Sequence, residues 1–133
     1  MRPQGNLRTA AEALVDQLLV NEVRHVFCVP GESYLAVLDA FHDRDLAVTV
    51  CRQEGGAAMM AEAIGKATGR PGVCFVTRGP GATNAAPGVH IAQQDSSPMI
   101  LFIGQVGRDM RGRDAFQEVD YRAMFGGMAK WVV

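Results

Sequence analysis

The sequence predicts an α/β domain with three layers, αβα, around a parallel sheet of about five strands. Apolar, partly β-branched runs begin near residues 25, 47, 72, 99 and 130, and a helix-like stretch separates each from the next. That alternation is the βα unit, whose crossovers make a sheet parallel and place helices on its faces. The run from Met99 is apolar at successive positions, as a strand covered on both faces requires.

Residues 1–8 read as a lead-in and 9–133 as the domain. Thr9 and Glu12 have capping-box spacing, which starts a helix running to about Asn21. The first strand, His25 to Val29, is stopped by Pro30-Gly31. A second helix covers Ser33 to about His42, with Leu35, Leu38 and Phe41 inward. The second strand is Ala47 to Cys51, and the third helix runs from Glu54 to Lys66 and stops near Gly69. The third strand, Gly72 to Thr77, meets the loop Arg78-Gly79-Pro80-Gly81, and a helix follows from about Ala82 to Gln94. Asp95-Ser96-Ser97-Pro98 is a turn cluster before the fourth strand, Met99 to Gly104. Beyond a charged loop at 105–115, a short helix is predicted from Phe116 to about Phe125, then a fifth strand from Lys130 to Val133. Because the sequence stops inside that apolar run, a fragment of a longer chain, cut before its last βα unit, is expected.

Composition narrows the function. The 133 residues carry a net charge of -1, with 20% charged and 48% hydrophobic residues, which gives no broad electrostatic reason to bind nucleic acid or an anionic membrane. No apolar run reaches the roughly 18 residues of a membrane span, and the N-terminus lacks a signal-peptide core, so the expected compartment is the cytosol. Cys28, Cys51 and Cys74 lie far apart, each in a predicted strand, and read as inert buried thiols. His25, His42 and His90 share no spacing with acids that would suggest a metal site.

The motifs exclude more than they assign. Gly79-Pro80-Gly81-Ala82-Thr83-Asn84 occupies the place of a dinucleotide fingerprint, but Asn84 stands at its third glycine and no acid ends the next strand. There is no P-loop and no G-x-S-x-G nucleophile elbow. What remains is Glu54, a lone acid in Arg52-Gln53-Glu54-Gly55-Gly56-Ala57-Ala58, at the carboxyl end of a strand where α/β sheets bind ligands. An acid there can equally be a helix-start residue stabilised by the dipole, and Gln53 or Arg52 could equally carry function.

Four ordered segments resolve this by resemblance: Val29-Pro30-Gly31, Arg52 to Ala58, Thr77 to Asn84, and Gly104-Gln105-Val106 with Asp114-Ala115-Phe116-Gln117-Glu118-Val119. Together they resemble the N-terminal, pyrimidine-binding domain of thiamine diphosphate-dependent enzymes of the acetolactate synthase type, over nearly the whole chain from Thr9. The resemblance implies that Glu54 hydrogen-bonds a ring nitrogen of the cofactor's aminopyrimidine, favouring the imino tautomer that deprotonates the thiazolium carbon. The implied reaction is decarboxylation of a 2-keto acid and transfer of the remainder to an acceptor.

By the same resemblance, Pro30 and Gly31 border the pyrimidine, Pro80 and Asn84 contact the cofactor or shape its loop, and Phe116 and Gln117 face the substrate pocket. Ser96 matches a flavin (FAD) contact in members that carry flavin. Mg2+ and the diphosphate belong to a separate diphosphate-binding domain, of the same or another chain, in a homo-oligomer (dimer or tetramer). These 133 residues alone should therefore be inactive. Two departures stand out. Glu32 replaces the second glycine of a Pro-Gly-Gly, and Arg78 stands where serine is usual. The alternatives are a non-catalytic interaction or regulatory module on this fold, a small subunit of a split 2-keto acid decarboxylase, or a dinucleotide-binding domain.

Overall fold

The computed structural model describes residues 8–133. The predicted lead-in therefore lies outside the described residues except for Arg8, which ion-pairs with Asp16. Four parallel strands form one sheet in the order β2-β1-β3-β4: β1 (His25–Cys28), β2 (Ala47–Val50), β3 (Gly72–Val76) and β4 (Met99–Ile103). The helices are α1 (Ala10–Val20), α2 (Leu35–Ala40), α3 (Glu54–Thr68), α4 (Pro80–Asp95) and α5 (Tyr121–Phe125).

Alternation along each strand divides the core into two layers. Val26, Cys28, Val73, Phe75 and Phe102 face α1 and α2, where Val15, Leu18, Tyr34 and Phe41 close the layer. Phe27, Cys74, Val76, Leu101 and Ile103 face α3 and α4. The first layer is aromatic. Phe75 stacks on Phe102 at 4.6 Å between ring centroids and meets the edge of Phe41 at 5.3 Å. The second is built of small residues: Ala57, Ala58 and Ala61 of α3 against Ala82, Ala85 and Gly88 of α4.

This difference has a local cause. Glycine at position 88 lets the two helix backbones approach closely, since a Cβ there would lie 2.5 Å from that of Ala58 and 3.0 Å from the Met59 amide nitrogen. The helix ends follow sequence rules. Thr9 and Glu12 form the reciprocal capping box, with the Thr9 amide 2.7 Å from the Glu12 carboxylate. Gly69 closes α3 in the left-handed conformation at φ 69°.

Several expected details differ. Lys130 to Val133 form no strand; Val132 packs instead with Met128 and Ala129 on the α3/α4 side of the sheet, so four strands are observed rather than five. Leu35 is 60% exposed, because the segment before α2 is a 3-10 turn at Glu32–Tyr34 that rotates it outward while Tyr34 turns in. The last helix shrinks to Tyr121–Phe125, since Glu118 ties the preceding residues into a loop. Conversely, α4 begins at Pro80, two residues before the expected start, because proline suits the first helical position.

Cys28 and Cys74 are buried and Cys51 half-buried, all three as free thiols. Burial, reinforced by the neighbouring Cys51, pushes the Cys74 thiol up to about 12, so it is protonated and unreactive at neutral pH.

Candidate active site

The strand order reverses direction between β1 and β3. This is the topological switch point at whose carboxyl edge open α/β sheets bind ligands. The loops after β1 and β3 meet there. Ser33 Oγ and Thr77 Oγ1 are 2.8 Å apart, and the Arg78 amide donates to Ser33 Oγ at 3.4 Å. Gly31 makes the approach sterically feasible, since a Cβ there would lie 2.6 Å from that of Thr77. A Cβ on Gly104, in the loop after β4, would run into the Ser33 side chain.

Glu54 opens α3 on the edge of this crevice, but it does not cap the helix. Gln53 caps it, its Oε1 accepting from the Gly56 amide at 2.8 Å. The helix-start role is thus divided: Glu54 keeps the favourable dipole position, while its carboxylate is left for other contacts. Oε2 accepts from Asn84 Nδ2 of α4 at 3.1 Å. Oε1 accepts no hydrogen bond among the described residues and faces Gly81, where a Cβ would lie 3.5 Å away. Asn84 is likewise no helix cap, since it sits inside α4, whose N-cap is Gly79.

The Glu54–Asn84 contact is held from below. Ala58 and Gly88 lie one helical turn further along their respective helices, where the backbones come closest. Gly55 adds a second close approach, a Cβ there falling 3.1 Å from the Asn84 carbonyl. The small-residue stripe therefore positions the acid.

The remaining predicted residues divide into two groups. Pro30 and Gly31 border the crevice on the β1 side, and Pro80 on the β3 side as the first residue of α4. Phe116 and Gln117 reach the same edge from the loop after β4. Gln117, at φ 63°, packs its backbone on Gly79, and the Phe116 carbonyl accepts from Arg78 Nε at 2.9 Å. Phe116 is 74% exposed and so is no core aromatic. Ser96 is not part of this cluster: it closes the far end of α4, about 18 Å along the helix from Asn84. Among the described residues, no group of three or more His, Cys, Asp or Glu could hold a metal, and no helix is long and apolar enough to cross a membrane.

Some participants were missed in the sequence. Ser33 lies outside the four motif segments. Thr77 and Gln53 lie within them, but nothing in the sequence signals the loop contact of Thr77 or the capping role of Gln53, glutamine being a poor prior for a cap. Tyr121 supplies an Oη that accepts the Gly79 amide at 2.9 Å, and only its distance from the loop in sequence concealed it.

The loop carrying Phe116 is braced internally. The Glu118 carboxylate accepts the Gly112 amide at 2.6 Å and the Ala115 amide at 3.1 Å, and these bonds, Gly112 first, hold its carboxyl below the usual range. A depressed folded value means the brace is fully present above the unfolded value of about 4.3 and is lost as pH falls through the folded one. The Gly112 amide resonance is expected to titrate only below about pH 4.3, and not at all in Glu118→Gln; titration at higher pH would contradict the brace.

The family described as thiamine pyrophosphate enzyme, N-terminal TPP binding domain, matches residues 8–124. The chain belongs to this family. The TPP-binding domain is 42% identical to acetolactate synthase of Bacillus subtilis (strain 168) over 123 residues, 92% of this chain and 22% of that protein. It is 42% identical over 120 residues to a probable acetolactate synthase large subunit of Methanococcus aeolicus, covering 90% of this chain and 20% of that one. The mitochondrial acetolactate synthase catalytic subunit of Aspergillus candidus is 40% identical over 127 residues, 95% of this chain and 18% of that protein. The TPP-binding domain thus spans about a fifth of the length of these relatives.

Proposed function

We propose that this domain supplies the cofactor-activating glutamate of a thiamine diphosphate-dependent enzyme that acts on a 2-keto acid, in the manner of acetolactate synthase. One observation carries the reading: Glu54 presents an unengaged carboxylate oxygen into the switch-point crevice while Asn84 fixes the other. The residues suit the cofactor's pyrimidine. Glycine at 81 leaves the second Glu54 oxygen uncovered, since a Cβ there would lie 3.5 Å from it, and Gly31 lets the flanking loop close onto Thr77. Pro30 and Pro80 border the same crevice.

In this reading Glu54 Oε1 shares a proton with a ring nitrogen, and Asn84 keeps the carboxylate aimed. Pro30, Gly31, Pro80 and Asn84 border the ring, and Phe116 and Gln117 wall the substrate side. When bound, the cofactor supplies the carbon acid that adds to the keto group and takes up the electrons released by decarboxylation. Mg2+ and the diphosphate are assigned to a diphosphate-binding domain of the same or another chain, in a homo-oligomer that pairs through this domain. Ser96 is assigned a flavin contact if FAD is carried; its separation from Glu54 suits a role outside the proton-sharing site.

The test is to assay the complete protein with pyruvate as the 2-keto acid, with and without thiamine diphosphate and Mg2+. The expected result is carbon dioxide release that requires both. Cofactor-independent turnover, or none under any condition, would contradict the reading.

A further inference from the structure

Glu32 and Arg78, the two residues at which the sequence departs from the acetolactate synthase resemblance, are partners. The Arg78 guanidinium ion-pairs with Glu32 of the loop after β1 through one nitrogen. Through Nε it donates to the Phe116 carbonyl of the loop after β4 at 2.9 Å. Its Cζ lies 5.8 Å from the Phe116 ring centroid. The Arg78 side chain is 11% exposed, against 68% for Glu32. The guanidinium is therefore largely enclosed between the two loops, and Glu32 balances it from the solvent side.

We propose that the Glu32–Arg78 pair is a positioning strut. It ties three loops together across the crevice mouth and thereby holds Phe116 in place on the substrate side. A fork is needed for this. Arginine satisfies two acceptors in fixed directions, whereas a lysine ammonium is a single point charge on a flexible stem. Phe116 is mostly exposed on a loop that Glu118 braces internally but whose other ties to this edge run through Gln117 against Gly79 and Tyr121 Oη to the Gly79 amide. Because Glu32 neutralises Arg78, the mouth presents an aromatic ring rather than a free cation. The pair thus shapes the pocket and does not anchor the keto acid's carboxylate.

The strut stands on geometry alone; its effect on substrate rests on the function proposed above. The experiment compares Arg78→Ser, Arg78→Lys and Glu32→Gln in the complete protein by two readouts, amide hydrogen exchange over residues 112–119 and the steady-state constants for pyruvate. For both Arg78 variants, exchange in that loop is expected to rise about tenfold, the equivalent of one charge-assisted hydrogen bond. KM is expected to rise by a similar factor, with kcat and the half-saturating thiamine diphosphate concentration within about twofold of the parent. Glu32→Gln should shift both in the same direction and by less. Wild-type behaviour of Arg78→Lys would overturn the need for a fork. Unchanged exchange would overturn the strut, and faster exchange with unchanged KM would overturn its positioning role. A KM that falls in Glu32→Gln would make Arg78 a carboxylate anchor and overturn the proposal. If the parent protein shows no turnover at all, exchange still decides the strut, and the functional reading is what has failed.

Discussion

Glu54→Gln is expected to lower turnover of the complete protein about a thousandfold, within the range for removal of a positioned acid–base group. The expectation rests on what the substitution preserves. Glutamine has nearly the shape of glutamate and can still accept from Asn84 Nδ2, the partner now 3.1 Å away. The N-cap is untouched, since Gln53 provides it. The loss of a charge from the first helical turn should cost well under about 1 kcal/mol of stability. What disappears is a carboxylate oxygen able to share a proton at the crevice. Turnover should therefore collapse while the melting temperature barely moves; near-parental turnover in a folded variant would be incompatible with the proposed role.

Gly88→Val is expected to destabilise the protein by about 3 kcal/mol, the upper part of the overpacking range. The nearest atoms to a Cβ at this position are Ala58 Cβ at 2.5 Å and the Ala58 carbonyl carbon at 2.8 Å, and a backbone cannot step aside as a flexible side chain would. Replacing a helix-interior glycine ordinarily gains up to about 1 kcal/mol in propensity, so the steric term must exceed that gain to produce the loss. In a domain of this size the midpoint should drop by about 10 °C. Gly56→Ala is the control. Nothing lies within 4 Å of a Cβ there, so its melting temperature should hold or rise slightly. Turnover of Gly88→Val should also fall, because spreading α3 from α4 draws Asn84 away from Glu54 one turn above. A Gly88→Val midpoint equal to that of the parent would contradict the close-packed pairing.

Much of this arrangement is legible in the sequence because local rules and tertiary structure agree. The capping box at Thr9, the glycine stop at Gly69 and the strand spacing each appear as the sequence implies. The candidate residues Glu54, Pro30, Gly31, Pro80, Asn84, Phe116 and Gln117 reach one sheet edge because each follows the carboxyl end of a parallel strand, whereas Ser96 lies at the far end of α4. Where the reading fell short, nonlocal contacts decide. Whether Glu54 or Gln53 serves the helix start depends on α4 offering Asn84 across the interface, which no spacing within α3 reveals. Leu35 faces outward because the Glu32–Tyr34 turn precedes its helix. The apolar run at Lys130 to Val133 has strand composition, but Val132 finds its burial against the α3/α4 layer. Glu32 and Arg78, 46 residues apart, appear in sequence as two separate oddities, and only the fold shows them as a pair.

In the proposed function Glu54 activates the cofactor by sharing a proton at the crevice. Exchange of the thiazolium C2 proton for deuterium, followed by NMR in the complete protein with thiamine diphosphate and Mg2+ but no keto acid, tests it most directly. Exchange on the parent protein is expected to be at least about a hundredfold faster than on Glu54→Gln, with cofactor bound to both. Equal exchange rates in the two proteins, at equal cofactor occupancy, would contradict the claim.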